Sequence, residues 1–329
     1  MFCTSRKVFV HSIAVMYGEA LARYGFGGSH PFGADRLQAF WSRFQSEGLD
    51  KSKNLIIEAP VLAEEKVLLD FHSKTYVDFV KQASIIGEGF LDYGDTPAFK
   101  GVFEASSYVV GSTLRALDLV LKGKVDHAFN PIGGLHHAKR DFAGGFCVFN
   151  DIGVAIIAAR KNYGIKNIAY VDIDAHHGDG VFYEFIKDPS LFIADIHEDG
   201  KYLYPGTGFE HETGEDDAKG TKINLPLKPY ATDDDFVGAF GKVEEFIDSI
   251  KPELIILQCG ADGLKGDPIT HLHYSANAHK HATNALHKLA HKHCNGRIVA
   301  LGGGGYNRDN IAAAWVEVVK ALIHSTSNI

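Results

Sequence analysis

The chain has 329 residues, of which 45% are hydrophobic and 22% charged, ordinary values for a globular protein that can bury a large core. Its formal net charge of -8 excludes nucleic-acid or membrane binding driven by bulk positive charge, but leaves a basic peptide open as a substrate. Cys3, Cys147, Cys259 and Cys294 lie far apart with no CxxC pair. They read as reduced thiols of an intracellular, cytoplasmic protein, not as a disulfide framework.

The first strand is expected at Arg6–Val10 (RKVFV). A further apolar patch, Ile13 to Met16, follows the interruption at His11 and Ser12. No signal-peptide architecture is visible, and no apolar run is long enough to span a bilayer. The Gly/Pro-rich stretch Gly25–Arg36 is too long for a simple connection and reads as a functional surface loop. Arg36–Phe44 reads as a helix, Leu55–Ile57 as a short strand ended by Pro60, and Glu64–Ala83 as two short helices. Leu91–Lys100 is turn-rich. Phe103–Lys122 reads as a helix closed by Gly123.

Val125–Asn130 is an expected strand, followed by the helix Ile152–Tyr163. Next come the strand Ile168–Val171, the helix Val181–Ile186, the strand Leu191–Ala194 and a solvated loop over 210–222. In Thr232–Ile250, a capping Thr, three aspartates in the first turn and an apolar stripe from Phe236 to Ile250 predict a helix. Strands are expected at Leu254–Leu257 and Arg297–Leu301, a His-rich helix over 275–293, and a last helix at Asp309–His324. Helices alternate with short, wholly apolar strands. The pattern predicts one α/β domain over residues 1–329, with a parallel sheet covered on both faces.

The densest chemistry follows the strand at Ile168, in NIAYVDIDAHHGDG. Extended backbone would turn Asp172, Asp174 and His176 to one side, which suits half of a zinc site. Four other strands also end in Gly-rich polar segments: after Asn130, Ala194, Leu257 and Leu301. Open parallel sheets bind ligands beyond the carboxyl ends of their strands, so these segments are expected to meet. Taken singly, an HH pair is more often structural, a GGGG run is a flexible turn, and an Asp after a strand caps a helix. Cys147 and Cys259 read as core residues. The string His271, His273, His279, His281, His287, His291 and His293 reads as a solvated helix face in preference to a metal reservoir.

GGLHHAKRDFAGGFCVFND, YVDIDAHHGDG, LYPGTG, GADGLKGDP and GGGGYN together resemble the zinc-dependent histone deacetylase family, including its acetoin-utilisation members. They occur in that family's order between about Asp95 and Asn307. The resemblance implies the arginase/deacetylase fold, with a parallel sheet of about eight strands. It implies one zinc ion held by Asp174, His176 and Asp262, and so decides what periodicity left open at Asp172. It pairs His136 with Asp172 and His137 with Asp179. His137 is then the general base and acid, His136 an electrostatic partner, and Tyr306 the donor to the developing oxyanion.

The resemblance further implies an acyl-lysine passage walled by Phe146 and Tyr204, with Gly145 as a backbone contact, Ile269 near the rim and Asp95 holding the substrate backbone. A potassium ion is implied on main-chain oxygens of Asp172, Asp174, His176 and Ile196, where Asp195 replaces a common Ser. Leu135 stands for a common Trp and Phe142 for a common acidic residue. The expected substrate is an acetylated lysine of a protein or peptide, or else an acetylated polyamine or other small acylated amine. No nucleic-acid or membrane partner is expected. An arginase-like dimanganese hydrolase and a non-catalytic binding protein are the remaining alternatives.

Overall fold

The computed structural model describes residues 8–326. In chain order the elements are β1 (Val8–Val10), β2 (Ile13–Met16), α1 (Glu19–Ala22), α2 (Arg36–Ser46), β3 (Leu55–Glu58), α3 (Glu65–Leu68), α4 (Lys74–Ile86), α5 (Val102–Leu121), β4 (His127–Asn130) and α6 (Asp151–Tyr163). They continue with β5 (Ile168–Asp172), α7 (Asp179–Glu184), β6 (Leu191–Glu198), β7 (Lys222–Leu227), α8 (Asp233–Ile250), β8 (Leu254–Gln258), α9 (Ala276–His293), β9 (Ile298–Leu301), α10 (Arg308–Ile323) and β10 (His324–Thr326).

Eight strands form one parallel sheet in the order β3-β2-β4-β9-β8-β5-β6-β7, as the α/β expectation requires. The central strands are buried along their whole length, which is why they read as unbroken apolar runs. Helix ends follow local chemistry. Asn150 Oδ1 accepts from Gly153 N at 2.8 Å to start α6, and Gly164 closes that helix in the left-handed conformation. At the start of α8, Thr232 N donates to Asp235 at 2.8 Å. Among the described residues no helix is long and apolar enough to cross a membrane.

Three expectations change. The expected first strand does not enter the main sheet. Its described part, Val8–Val10, pairs antiparallel with β10, and the sheet instead takes Ile13–Met16 between β3 and β4. The end of the expected 210–222 loop begins an unforeseen edge strand, β7. Its Pro226 is tolerated because an edge strand leaves one row of N–H groups unpaired. Its Lys222 is buried, with the ammonium donating to the carbonyls of Asp188 and Leu191, each at 2.7 Å. Finally, the histidines near α9 are not one solvated face. His279 and His287 are each only 1% exposed, whereas His271 pairs with Glu198 and His293 with Asp248. Cys147, Cys259 and Cys294 are buried free thiols, and Cys3 lies outside the described residues.

Candidate metal centre and active site

The carboxyl ends of β4, β5, β8 and β9 converge on one buried cluster. Beyond β5, Asp174 and His176 meet Asp262, which follows β8. His176 Nδ1 lies 3.1 Å from Asp174 Oδ1 and 3.0 Å from Asp262 Oδ2, and the three potential ligand atoms lie within 4.8 Å of one another. Each carboxylate is also pinned from behind. Asp174 Oδ2 accepts from Gln258 Nε2 at 2.7 Å and from Gly304 N at 2.8 Å, and Asp262 Oδ1 accepts from Ala175 N at 2.9 Å. Gly304 has to be a glycine for the backbone to come this near, because a Cβ there would sit 2.3 Å from Asp262 Oδ2.

Two carboxylates and one imidazole are a donor set suited to a divalent transition ion with a coordination position left open. The local field agrees. Burial opposes charge on His176, yet hydrogen bonds to Asp174 and Asp262 outweigh it and raise its pKa to about 10. Burial, followed by the charge of Asp174, lifts Asp262 to about 7. The cluster therefore calls for positive charge.

Asp172 does not join this trio, although strand alternation alone would have included it. Its Oδ2 hydrogen-bonds His136 Nδ1 at 2.8 Å and accepts from Tyr170, and its Oδ1 accepts from Asp174 N. The next imidazole, His137, holds Asp179 Oδ1 at 2.7 Å, and Lys139 reaches the other oxygen of that carboxylate at 3.2 Å. The loop carrying both histidines is fixed by buried Asp151, which accepts from Leu135 N at 2.8 Å and from Gly134 N. Burial opposes charge on His136, but Asp172 and Asp174 raise it to about 9. Burial, then the charge of His136, lowers His137 to about 4.

Tyr306 follows the turn Gly302–Gly305. Its N–H donates to Asp267 at 2.8 Å, and its ring meets Phe146 edge-on with centroids 5.6 Å apart. Leu135, both histidines, Gly145, Cys147 and Tyr306 line one inner cavity with Asp174 and His176. Gly145, with φ 52°, passes so close that a Cβ would lie 2.3 Å from the His137 ring. Next to it, an outer depression is lined by Asp95, Phe142, Gly144 and Tyr204. The Tyr204 ring lies 5.1 Å from that of His137, so the two hollows share a wall. Ile269 stands in the lining of neither. It joins the group through Asp267, whose other oxygen accepts from Ile269 N.

Asp195, opposite Asp172 in the β5–β6 register, is already engaged: it binds His197 Nδ1 at 2.6 Å and accepts from Gly178 N. Three contributors escaped the sequence reading. Buried Arg36 donates to the carbonyls of Gly303 and Gly305 and so braces the turn before Tyr306. Gln258 braces Asp174, and Asp267 braces Tyr306. Gln258 and Asp267 stand in or beside quoted motifs and could have been nominated there. Arg36 carried no signal beyond being a charge on an apolar helix.

Comparison with known proteins decides what this arrangement belongs to. A sequence model described as the histone deacetylase domain matches residues 30–322. The chain belongs to the histone deacetylase family. Among its relatives is the acetoin utilization protein AcuC of Bacillus subtilis (strain 168), 37% identical over 92% of this chain and 80% of that one. AcuC of Staphylococcus aureus (strain MRSA252) is 35% identical over 94% and 81%. A crystal structure of the HDA15 HD domain superposes with a TM-score of 0.88 at 26% identity, covering 95% of this chain and 88% of that one. The fold expectation is thus borne out, and membership makes the protein a deacetylase of the amide-hydrolase class, from a family that is generally metal-dependent.

Proposed function

We propose that the chain works as one cytoplasmic domain: a zinc-dependent amide hydrolase that removes acetyl, or a related acyl group, from lysine side chains of proteins or peptides. The observation that carries this reading is the placement of His137 and Tyr306 in the same inner cavity as Asp174 and His176. Asp174, His176 and Asp262 would hold the metal. When bound there, zinc supplies Lewis acidity that polarises an amide carbonyl and makes water easier to deprotonate.

The chain's own groups supply the proton traffic. Asp179 at Nδ1 fixes the tautomer that leaves a lone pair on His137 Nε2, which takes a proton from the attacking water. Tyr306 donates its phenolic hydrogen to the carbonyl oxygen as negative charge gathers there. His136, held cationic by Asp172, adds positive charge beside it. When the C–N bond breaks, His137 hands its proton to the leaving nitrogen, giving free amine and carboxylate. Asp95, at the outer depression, would hold the substrate backbone, and Phe146, Gly145 and Tyr204 would flank the acyl-lysine stem, with Ile269 nearby. The implied potassium ion would lie on main-chain oxygens of Asp172, Asp174, His176 and Ile196. The Asp195 carboxylate is held by His197, whose pKa burial would lower but Asp195 raises, so the pair leans towards shared charge.

The test is turnover of an acetyl-lysine peptide against acetylputrescine and acetylspermidine. Zinc-loaded protein is expected to prefer the peptide, and chelation should abolish turnover until zinc is restored. Preference for the polyamines would replace the substrate class, and turnover that survives full demetallation would remove the metal.

A further inference from the structure

A second set of metal-ligating side chains lies at the other end of the sheet. His127 is the first residue of β4, so it sits at the amino ends of the strands, whereas the catalytic cluster sits beyond their carboxyl ends. His287 and His291, one turn apart on α9, share a helix face. His11 comes from the link between β1 and β2. One nitrogen from each of these four imidazoles lies within 4.8 Å of the others. The His11 and His291 ring centroids are 4.2 Å apart, and those of His127 and His287 are 4.7 Å apart.

The cluster does not look like ordinary packing. His127 and His287 are 0% and 1% exposed, and none of their four ring nitrogens makes a hydrogen bond of good geometry; only the backbone at Gly296 approaches His127, and that at Ala321 approaches His287. A neutral imidazole has an N–H to donate and a lone pair to fill, and buried groups of this kind nearly always find partners. Two adjacent rings so weakly partnered leave a ligand wanting in the space they enclose. Burial favours the neutral form of both rings, and a neutral imidazole always offers one lone pair. Gly296, with φ 79°, packs its turn so tightly on His291 that a Cβ would sit 2.5 Å from Cε1. The Asp126 carboxylate, held by Ser12 N at 2.8 Å, stands 3.9 Å from His11 Nδ1 and can orient that ring.

We propose that His11, His127, His287 and His291 form a second, structural metal site for a divalent transition ion such as zinc. Four imidazoles with no carboxylate among them disfavour magnesium and calcium, and suit zinc, copper or nickel. Four protein ligands would close a tetrahedral shell, leaving no position for substrate, so the role is to fasten α9 and the β1–β2 link to β4. Tetrahedral zinc places its ligand nitrogens about 3.4 Å apart, which asks the rings to draw inward from their present spread.

Metal content of purified, zinc-equilibrated protein tests this. His291 is exposed, so His291→Ala keeps the fold. It is expected to hold one zinc ion fewer per chain than the wild type, with deacetylation unchanged. Zinc should raise the thermal midpoint of the wild type more than that of the variant. Crystals measured at the zinc edge should show an anomalous peak among the four rings, absent in His291→Ala. Equal zinc content in the two proteins, or no such peak in the wild type, would overturn the assignment. The difference between the two proteins stands whether or not the catalytic cluster also holds zinc.

Discussion

The Nε2 atoms of His136 and His137 lie 3.1 Å apart, too close for both rings to carry a positive charge at ease. The surroundings choose. His136 leans on Asp172 and Asp174 and stays cationic, whereas His137 stays neutral. His137→Ala is therefore expected to lower kcat by about 10²–10⁴-fold with bound metal retained. Steady-state kinetics beside metal analysis check this, and near-full activity would return the base to another group.

On the proposed mechanism Tyr306→Phe removes one donor to the developing oxyanion, and it should cost about 10²–10³-fold in kcat with KM little changed. Arg36→Met acts one step behind it. The carbonyls of Gly303 and Gly305 lose their buried donor, at about 1–3 kcal/mol each, and the Tyr306 turn loosens. A lower denaturant midpoint together with reduced kcat is the expected outcome. A fall in stability without any change in kcat would detach Arg36 from catalysis.

Asp95 lies at the outer depression, and burial followed by its contact with Asp92 raises its pKa to about 6. Its charge is present above that pH and fades below it. Asp95→Asn should raise KM for a peptide several-fold at pH 8 while kcat holds. An unchanged KM would mean that the substrate backbone is held elsewhere.

His72 offers a stability test away from the site. Its Nε2 accepts from Asn150 N at 2.9 Å, a bond that only the neutral ring can make, and burial lowers its pKa to about 4. The folded value lies below the unfolded 6.5, so this contribution is complete above pH 6.5 and drains away as pH falls towards 4. His72→Gln keeps an acceptor but cannot titrate. Its unfolding free energy should fall less steeply across that window, by up to about 1.4 kcal/mol per pH unit. Parallel slopes for the two proteins would show that His72 is not the titrating group.

The strands of the sheet's middle were legible because burial on both faces leaves an unbroken apolar run before a Gly-rich turn. β7 was not, since its buried Lys222 and its Pro226 each imitate a loop and are explained only by the carbonyls and the open edge around them. Five motifs brought the candidate site residues together on paper, but period-two alternation could not tell Asp172 from Asp174. The difference arises from which of them meets the histidine loop. The imidazole cluster was hidden because its members come from three distant segments. On α9, Lys280, Lys288 and Lys292 beside the histidines mimic a wetted face.

The strand order has a consequence for biosynthesis. β4 ends at Asn130, yet its neighbour β9 begins only at Ile298. While the ribosome is still adding the residues between, β2, β3 and β4 can assemble only as a patch with one raw apolar edge. The β5–β8 group gathers separately. Asp174 waits for Asp262 to emerge, and Tyr306 comes later still. A nascent chain stalled before β9 is expected to expose that edge, since the strand that joins the two groups has yet to be made.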